Sequence, residues 1–570
     1  MRILESYIEL LISIRATPLE ASAGGDAIGQ AFSMAELARG RSVQRALSAS
    51  SARATANPLL AGLARSEQDA QLQIGALSKL MVYQASLPRD EQDQNVVTQL
   101  QDRITELRAA RTALMEEIRS SFPEYAELIE PKSVTVDEVQ GILHQGEALI
   151  SIYTTRKRMF VWVVPKSGRI AFAALDLGHD ELEGMVTRLR VALDPSASTL
   201  GEIPDFDLET AYALYASLLK PVAPAWRDAA HLLVVTHGPL GQLPLQVLPT
   251  ARSRLTPERP PLFSRYRAVP WLARSHAVTV LPSVASLTTL RSRTPGLSAR
   301  KSFAGFGDPW FAERQSEAHI GSASQMASVD TGNLLQVRAA AFERRNAPVT
   351  RSVDSADLAR LPRLPDTADE IRAIATILKA DPSTDVFLGK RASEGAVKAM
   401  DLSDRRVLAF ATHGLVPGDL NGLTQPALAL SSPTVVGGDE DGVLTMGEIL
   451  GLRLDADWVV LSACNTAAGE GAGAEAVSGL GRAFFYAGAR SLLVSNWPVE
   501  TTSAKALTTG IFERQSNDPT LSRAEALQQA MLGLIDEGGY MDDRRRMAFS
   551  YAHPIFWAPF SLIGDGGGAK

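Results

Sequence analysis

Apolar residues recur at helical spacing in the first part of this chain and at strand spacing after it. Leu100, Ile104, Leu107, Leu114 and Ile118 stand at three- and four-residue steps or their sums, which puts one apolar stripe on a helix that Pro123 closes. From Glu147 the pattern shortens. Ala148–Tyr153 and Met159–Val164 are brief apolar runs around the basic turn Thr154-Thr155-Arg156-Lys157-Arg158, and they predict a β-hairpin. Helices are predicted over Asp180–Leu193, Leu208–Leu219 and Thr367–Leu378, and another opening at Ser393. Strands are predicted at His231–Val235 and from Lys301, and a short helix at Leu444–Leu450 with Thr445 as its N-cap. Between 310 and 365 no period is sustained, and a stretch this long reads as a lid, a linker, a disordered segment or an insertion without a role. Its Arg344, Arg345 and Arg351 make it a candidate cleavage segment.

Three further apolar runs carry the candidate chemistry. Arg406–Ala411 ends in Thr412-His413-Gly414, Ala456–Ser462 ends in Ala463-Cys464-Asn465-Thr466, and Arg490–Ser495 ends in Asn496-Trp497-Pro498-Val499. Unbroken runs of this length suit strands covered on both faces. Just past the carboxyl ends of neighbouring parallel strands, side chains share one crevice. His413 and Cys464, 51 positions apart, would therefore meet at one rim of the sheet. A thiol nucleophile and its acid/base partner need that arrangement. Their spacing is that of caspases, although the Gln-Ala-Cys-x-Gly signature is missing.

Two patterns imitate chemistry. His231–Gly238 repeats the strand followed by Thr-His-Gly, but no cysteine follows at a matching strand end, so His237 is read as structural. Gly471-x-Gly473-x-x-Ala476 matches a dinucleotide fingerprint, yet its glycines begin well past the strand and no ribose-binding acid closes the next one. No cofactor and no metal are expected.

Ala411-Thr412-His413-Gly414, Leu461–Thr466, Ser495–Val499 and the closing His553-Pro554-Ile555-Phe556-Trp557-Ala558-Pro559-Phe560 together resemble the CHAT family, the caspase-like, separase-related cysteine peptidases that often follow TPR repeats. The resemblance runs from about Pro131 to the C-terminus. It implies an α/β, caspase-like fold whose mostly parallel central sheet has two related halves, the first non-catalytic. It also implies a His413–Cys464 dyad, with the backbone N–H groups of Gly414 and Cys464 as oxyanion donors. Trp497 and Glu500 would line the substrate pocket, where Glu500 either pairs with a basic substrate residue or is a surface charge. The expected division is a helical region over 1–130, a first half over 131–365 and a catalytic half over 366–570. Ala31–Ser42 resembles a last TPR-like helix, but no 34-residue repeat recurs, so a plain helical hairpin is equally compatible.

Composition narrows the function. Hydrophobic and charged fractions of 45% and 21% are those of a globular protein. A net charge of −7 gives no general attraction to nucleic acid or anionic lipid. The single cysteine excludes an internal disulfide framework and suits a reducing compartment. The start, charged every few residues, does not resemble a signal peptide, and no apolar run spans a bilayer. The expectation is a cytoplasmic cysteine endopeptidase acting on a protein substrate, latent until a partner or a signal activates it, with a regulatory protein partner bound through its helical N-terminus. The alternative is a catalytically silent CHAT scaffold that binds proteins.

Overall fold

A computed structural model describes residues 2–22, 25–51, 94–122, 134–292, 300–317, 334–342, 344–345, 358–417, 419–420, 423, 425–462, 479–542 and 544–567, with parts of 59–81. The chain first lays down an antiparallel meander of β1 (Glu147–Thr154), β2 (Met159–Pro165) and β3 (Ala171–Leu175). There follow β4 (His231–Val235), β5 (Ala277–Val280), β6 (Lys301–Gly307), β7 (Val386–Leu388) and β8 (Arg405–Ala411). The short strands β9 (Gly414–Leu415), β10 (Ala427–Ala429) and β11 (Val443–Thr445) form a small sheet of their own. Then come β12 (Trp458–Leu461), β13 (Ser491–Ser495), the hairpin β14 (Gly539–Met541) and β15 (Met547–Ser550), and β16 (Phe560–Gly564).

Among the described residues, eleven strands make one sheet, in the order β3-β2-β1-β4-β5-β16-β13-β12-β8-β6-β7. Outside the meander, β16 against β13 is the antiparallel pair; the other neighbours run parallel. The fold is therefore mixed α/β with a mostly parallel sheet, as the apolar runs imply. Side-chain alternation explains why those runs are continuous. In β8, Val407, Ala409 and Ala411 enter one core, while Leu408 and Phe410 enter the core on the opposite face. In β12, Trp458 and Val460 separate from Val459 and Leu461 in the same way. Both faces are buried, so neither position can be polar.

The two halves exchange strands. β6 lies in the stretch assigned to the first half, yet it pairs with β7 and β8 of the second. Phe306 of β6 stacks between Phe387 and Phe410, with centroids 4.9 and 5.2 Å away. β16, from the far end of the chain, sits between β5 and β13 and closes the sheet. Among the described residues, the sheet is continuous across both halves.

The N-terminal helices Arg2–Ile14 and Ala27–Ser51 pack on the first half. Ile8, Leu11, Phe32 and Ala35 share a core with Tyr153, Phe160 and Trp162. A buried Glu36–Arg39 pair anchors them: Arg39 donates to the Ile152 carbonyl at 2.7 Å, and Glu36 accepts from the Val284 N–H at 3.0 Å. In the helix Gln94–Ser121, Ile104, Leu107, Met115 and Ile118 are buried, so the centre of the predicted stripe is present, with Leu100 and Leu114 only partly buried and Met115 inside. The helix Met446–Leu450 carries Thr445 as N-cap in a capping box with Glu448.

Candidate active site

The site lies where β8, β12 and β13 end side by side. Phe410 pairs with Leu461, and Leu461 with Val494. The Ser462 N–H donates to the Phe410 carbonyl at 3.0 Å, so pairing continues one residue beyond β12. His413, Cys464 and Trp497 each stand three positions after one of these partners. Cys464 and the Gly471–Ala476 glycines fall outside the described residues.

His413 is fully buried, and Phe311 lies 5.6 Å from it between ring centroids. Its Nε2 is 2.7 Å from the Pro362 carbonyl oxygen. A carbonyl only accepts, so Nε2 carries the proton and the lone pair of the neutral ring is on Nδ1. Nδ1 is buried and has no hydrogen-bond partner among the described residues. Burial pushes the His413 pKa below the usual histidine value, while the Pro362 carbonyl and the Asp366 carboxylate pull it partly back.

The Pro362 carbonyl is itself held. Arg363 forks onto Asp308 with bonds of 2.8 and 2.7 Å, and the Asp308 N–H donates to Thr367 Oγ1 at 2.7 Å. The loop after β6 is thereby fastened to the start of the helix Asp366–Ile377, whose Ile371 and Ile374 pack on the β8 and β12 face.

Gly414 opens β9 opposite Leu428, half-buried, and the Ala429 N–H donates to the His413 carbonyl at 2.9 Å. Trp497 is wholly buried, and its indole N–H donates to the Ile555 carbonyl at 3.2 Å. Glu500 caps the helix Thr501–Asn517, accepting from the Thr502 and Ser503 N–H groups at 3.1 and 2.7 Å. It is 8% exposed, so it is not the solvated surface charge that one reading of the sequence allowed.

His237 is structural in its surroundings. It stacks on Tyr153 at 4.4 Å, its Nδ1 accepts from the Thr154 N–H, and burial pushes its pKa down to about 3.

The described part of 310–365 is packed rather than loose, which corrects the reading of Arg344 and Arg345 as accessible cleavage points. Val337, Ala340 and Phe342 enter the core. Arg344 pairs with Asp194 at 3.2 Å, and its backbone bridges Glu500 in antiparallel fashion. Arg345 is 2% exposed; its N–H donates to the Val499 carbonyl at 2.9 Å. Its guanidinium reaches Asp366 through Nε, and Glu370 and Ser462 through Nη1, each at 2.7 Å. Ser462 Oγ and Thr508 Oγ1 donate in turn to Glu370, at 3.2 and 3.0 Å. Arg351 lies outside the described residues.

Pro362, Asp308, Arg363 and the Arg345 group were not foreseen as site residues. One signal was present: Glu370 interrupts the apolar stripe of Thr367, Ala368, Ile371 and Ile374, where a carboxylate needs a buried partner. Among the described residues, Glu394, Glu440 and Glu448 cluster closely enough to ligate a metal. The Lys398 ammonium already stands among them at 2.5, 2.6 and 2.8 Å. No helix among the described residues is long and apolar enough to cross a membrane.

Residues 208–565 match the family model for the CHAT domain. The mouse (Mus musculus) tetratricopeptide repeat protein 28 is 32% identical over 123 residues, which is 22% of this chain and 4% of that protein. The Saccharomyces cerevisiae separase–securin complex solved at 3.0 Å shows likeness over 95% of this chain and 40% of that one, at 10% identity and a TM-score of 0.39. The Arg-specific cysteine proteinase gingipain R gives 9% identity and a TM-score of 0.27, over 68% of this chain and 74% of its own. The chain thus spans a small fraction of its mouse relative and two-fifths of the separase chain. The match to the domain covers more than half of the residues, and the chain belongs to the CHAT-domain family.

Proposed function

We propose that this chain is a cysteine endopeptidase working through His413 and Cys464. The observation that carries this reading is the state of His413: Nε2–H is tied to the Pro362 carbonyl, and a buried Nδ1 lone pair has no partner among the described residues, at the rim where β12 leads to Cys464. A thiol near pKa 8.5 is mostly protonated at neutral pH and needs a base beside it. His413 Nδ1 takes the thiol proton as sulfur attacks the scissile carbonyl. The same proton goes to the leaving amine, and a thioester on Cys464 remains. Water, deprotonated by His413, then releases the acid. The N–H groups of Gly414 and Cys464 receive the oxyanion. Trp497 and Glu500 act on the substrate pocket by anchoring the 496–500 loop. The substrate is a protein, and the cytoplasm is the proposed setting. Activity is latent until a regulatory protein binds the N-terminal helices.

Treating the purified chain with a peptide electrophile, then mass spectrometry of the Cys464 peptide, tests this reading. An adduct on Cys464 that disappears in His413→Ala supports it. Absence of any adduct under activating conditions would leave the silent scaffold as the better account.

A further inference from the structure

We infer that the recess formed by Asp366, Glu370 and Ser462 is the subsite for a substrate arginine, and that the chain's own Arg345 fills it in this structure. The inference rests on the peptidase reading above and adds both a substrate class and a reason for latency.

Position comes first. Ser462 stands two residues before Cys464, and Asp366 is close enough to act electrostatically on His413. The recess therefore opens at the rim where β8, β12 and β13 end. The mode of entry comes second. Residues 344–345 lie antiparallel to Val499 and Glu500, with the Arg344–Glu500 bridge and the Arg345 N–H on the Val499 carbonyl. An extended peptide adds to an exposed strand edge by the same main-chain pairing, and pockets for its side chains supply specificity.

Third is the chemistry of the recess. Asp366 and Glu370 stand one helical turn apart on one face and meet different nitrogens of a single guanidinium, with Ser462 Oγ as a third acceptor. A planar fork of donors fits this set; the point charge of a lysine ammonium reaches fewer of the acceptors. Glu370 is wholly buried, and a buried carboxylate stripped of its cation is strongly unfavourable. An empty recess is therefore costly, and occupation by a guanidinium is favoured. Arg345, tethered to the same chain, occupies it at a high effective concentration that a substrate arginine has to overcome. Withdrawal of residues 344–345 would open the subsite and uncover the edge of the 499–500 loop in one movement.

The test uses the full chain and two peptide acyloxymethyl ketones that differ only in carrying arginine or norleucine before the reactive carbon. The rate of Cys464 adduct formation is read by mass spectrometry. Arg345→Ala should raise the rate with the arginine probe by at least about tenfold and leave the norleucine rate within about twofold. Adding Asp366→Asn should remove most of that gain. Ethylguanidinium should slow the arginine probe in Arg345→Ala while raising the melting temperature. If Arg345→Ala melts below the assay temperature, Arg345→Gln, which keeps an amide donor, is measured in its place. An unchanged arginine-to-norleucine ratio, with Cys464 still labelled, would make Arg345 a structural strut and overturn the inference while the peptidase reading stands. No labelling by either probe in any variant would remove that reading, and this inference with it.

Discussion

Phe410 and Leu461 are register partners in adjacent parallel strands, and each lies three residues before a member of the proposed dyad. The pairing sets the two strand ends level with each other. A slip of one residue would turn either strand's side chains to the other face of the sheet.

The dyad should respond to single substitutions. Cys464→Ala is expected to abolish peptide cleavage, and His413→Ala to lower kcat/KM by roughly a hundred- to ten-thousandfold. His237→Ala should stay within a few-fold of the parent in specific activity of the folded protein, since its ring faces Tyr153 and Thr154. Equal losses for the two histidines, measured on folded variants, would transfer a catalytic role to His237.

Among the described residues, His413 is oriented by the backbone carbonyl of Pro362. Asp308→Asn weakens the Arg363 fork beside Pro362, so the carbonyl that holds Nε2 loses its support. A small displacement of a catalytic group can cost on the order of tenfold in kcat, and KM should change little. A general loss of folded enzyme would also lower the rate without altering KM, so rates normalised to the amount of Cys464 titrated by an irreversible peptide electrophile separate the two outcomes.

His413 should titrate below an ordinary histidine. In a Cys464→Ala background, where the thiol no longer couples to it, its NMR titration midpoint is expected under 6.5. Asp366 stabilises the imidazolium, so Asp366→Asn should move the midpoint lower still. An upward movement would contradict this electrostatic account.

Acid should destabilise the fold through buried histidines. Burial pushes His237 and His553 down to about 3, whereas unfolding returns each to an ordinary 6.5. The unfolded chain thus binds more protons between those values. Stability is undiminished above pH 6.5 and falls on acidification by roughly 1.4 kcal/mol per pH unit for each histidine. Denaturant unfolding at several pH values, with His237→Asn as reference, should show a shallower slope for the variant.

Glu500 has a measurable structural role. Glu500→Ala removes the acceptor for the Thr502 and Ser503 N–H groups, and should lower stability by about 0.5–2 kcal/mol. Glu500→Gln keeps one accepting oxygen and should lose less. If the arginine preference drops in Glu500→Gln without a matching change in melting temperature, the carboxylate also acts on the pocket.

Much of this was legible because burial on two faces leaves a simple trace. The runs at Arg405–Ala411, Trp458–Leu461 and Ser491–Ser495 appear as continuous apolar segments since alternate residues feed different cores. The strand-end positions of His413 and Cys464 follow from the same runs. Glu500 was harder to read, because glutamate is not among the favoured N-capping residues and only its burial against Ser503 reveals the cap.

The sequence by itself determined the α/β class, the strands that precede His413 and Cys464 in the chain, and the membership that the Thr412-His413-Gly414 and Ser462-Ala463-Cys464 motifs point to. Only the tertiary structure decided that β16 joins the halves, that Pro362 holds His413, and that Arg345 reaches Glu370 and Ser462. The physical reason is range. Periodicity reports which face of a segment is buried, whereas a backbone carbonyl leaves no mark on residue identity. A pairing between residues more than a hundred positions apart, such as Arg345 and Ser462, is fixed by the packing of the whole sheet.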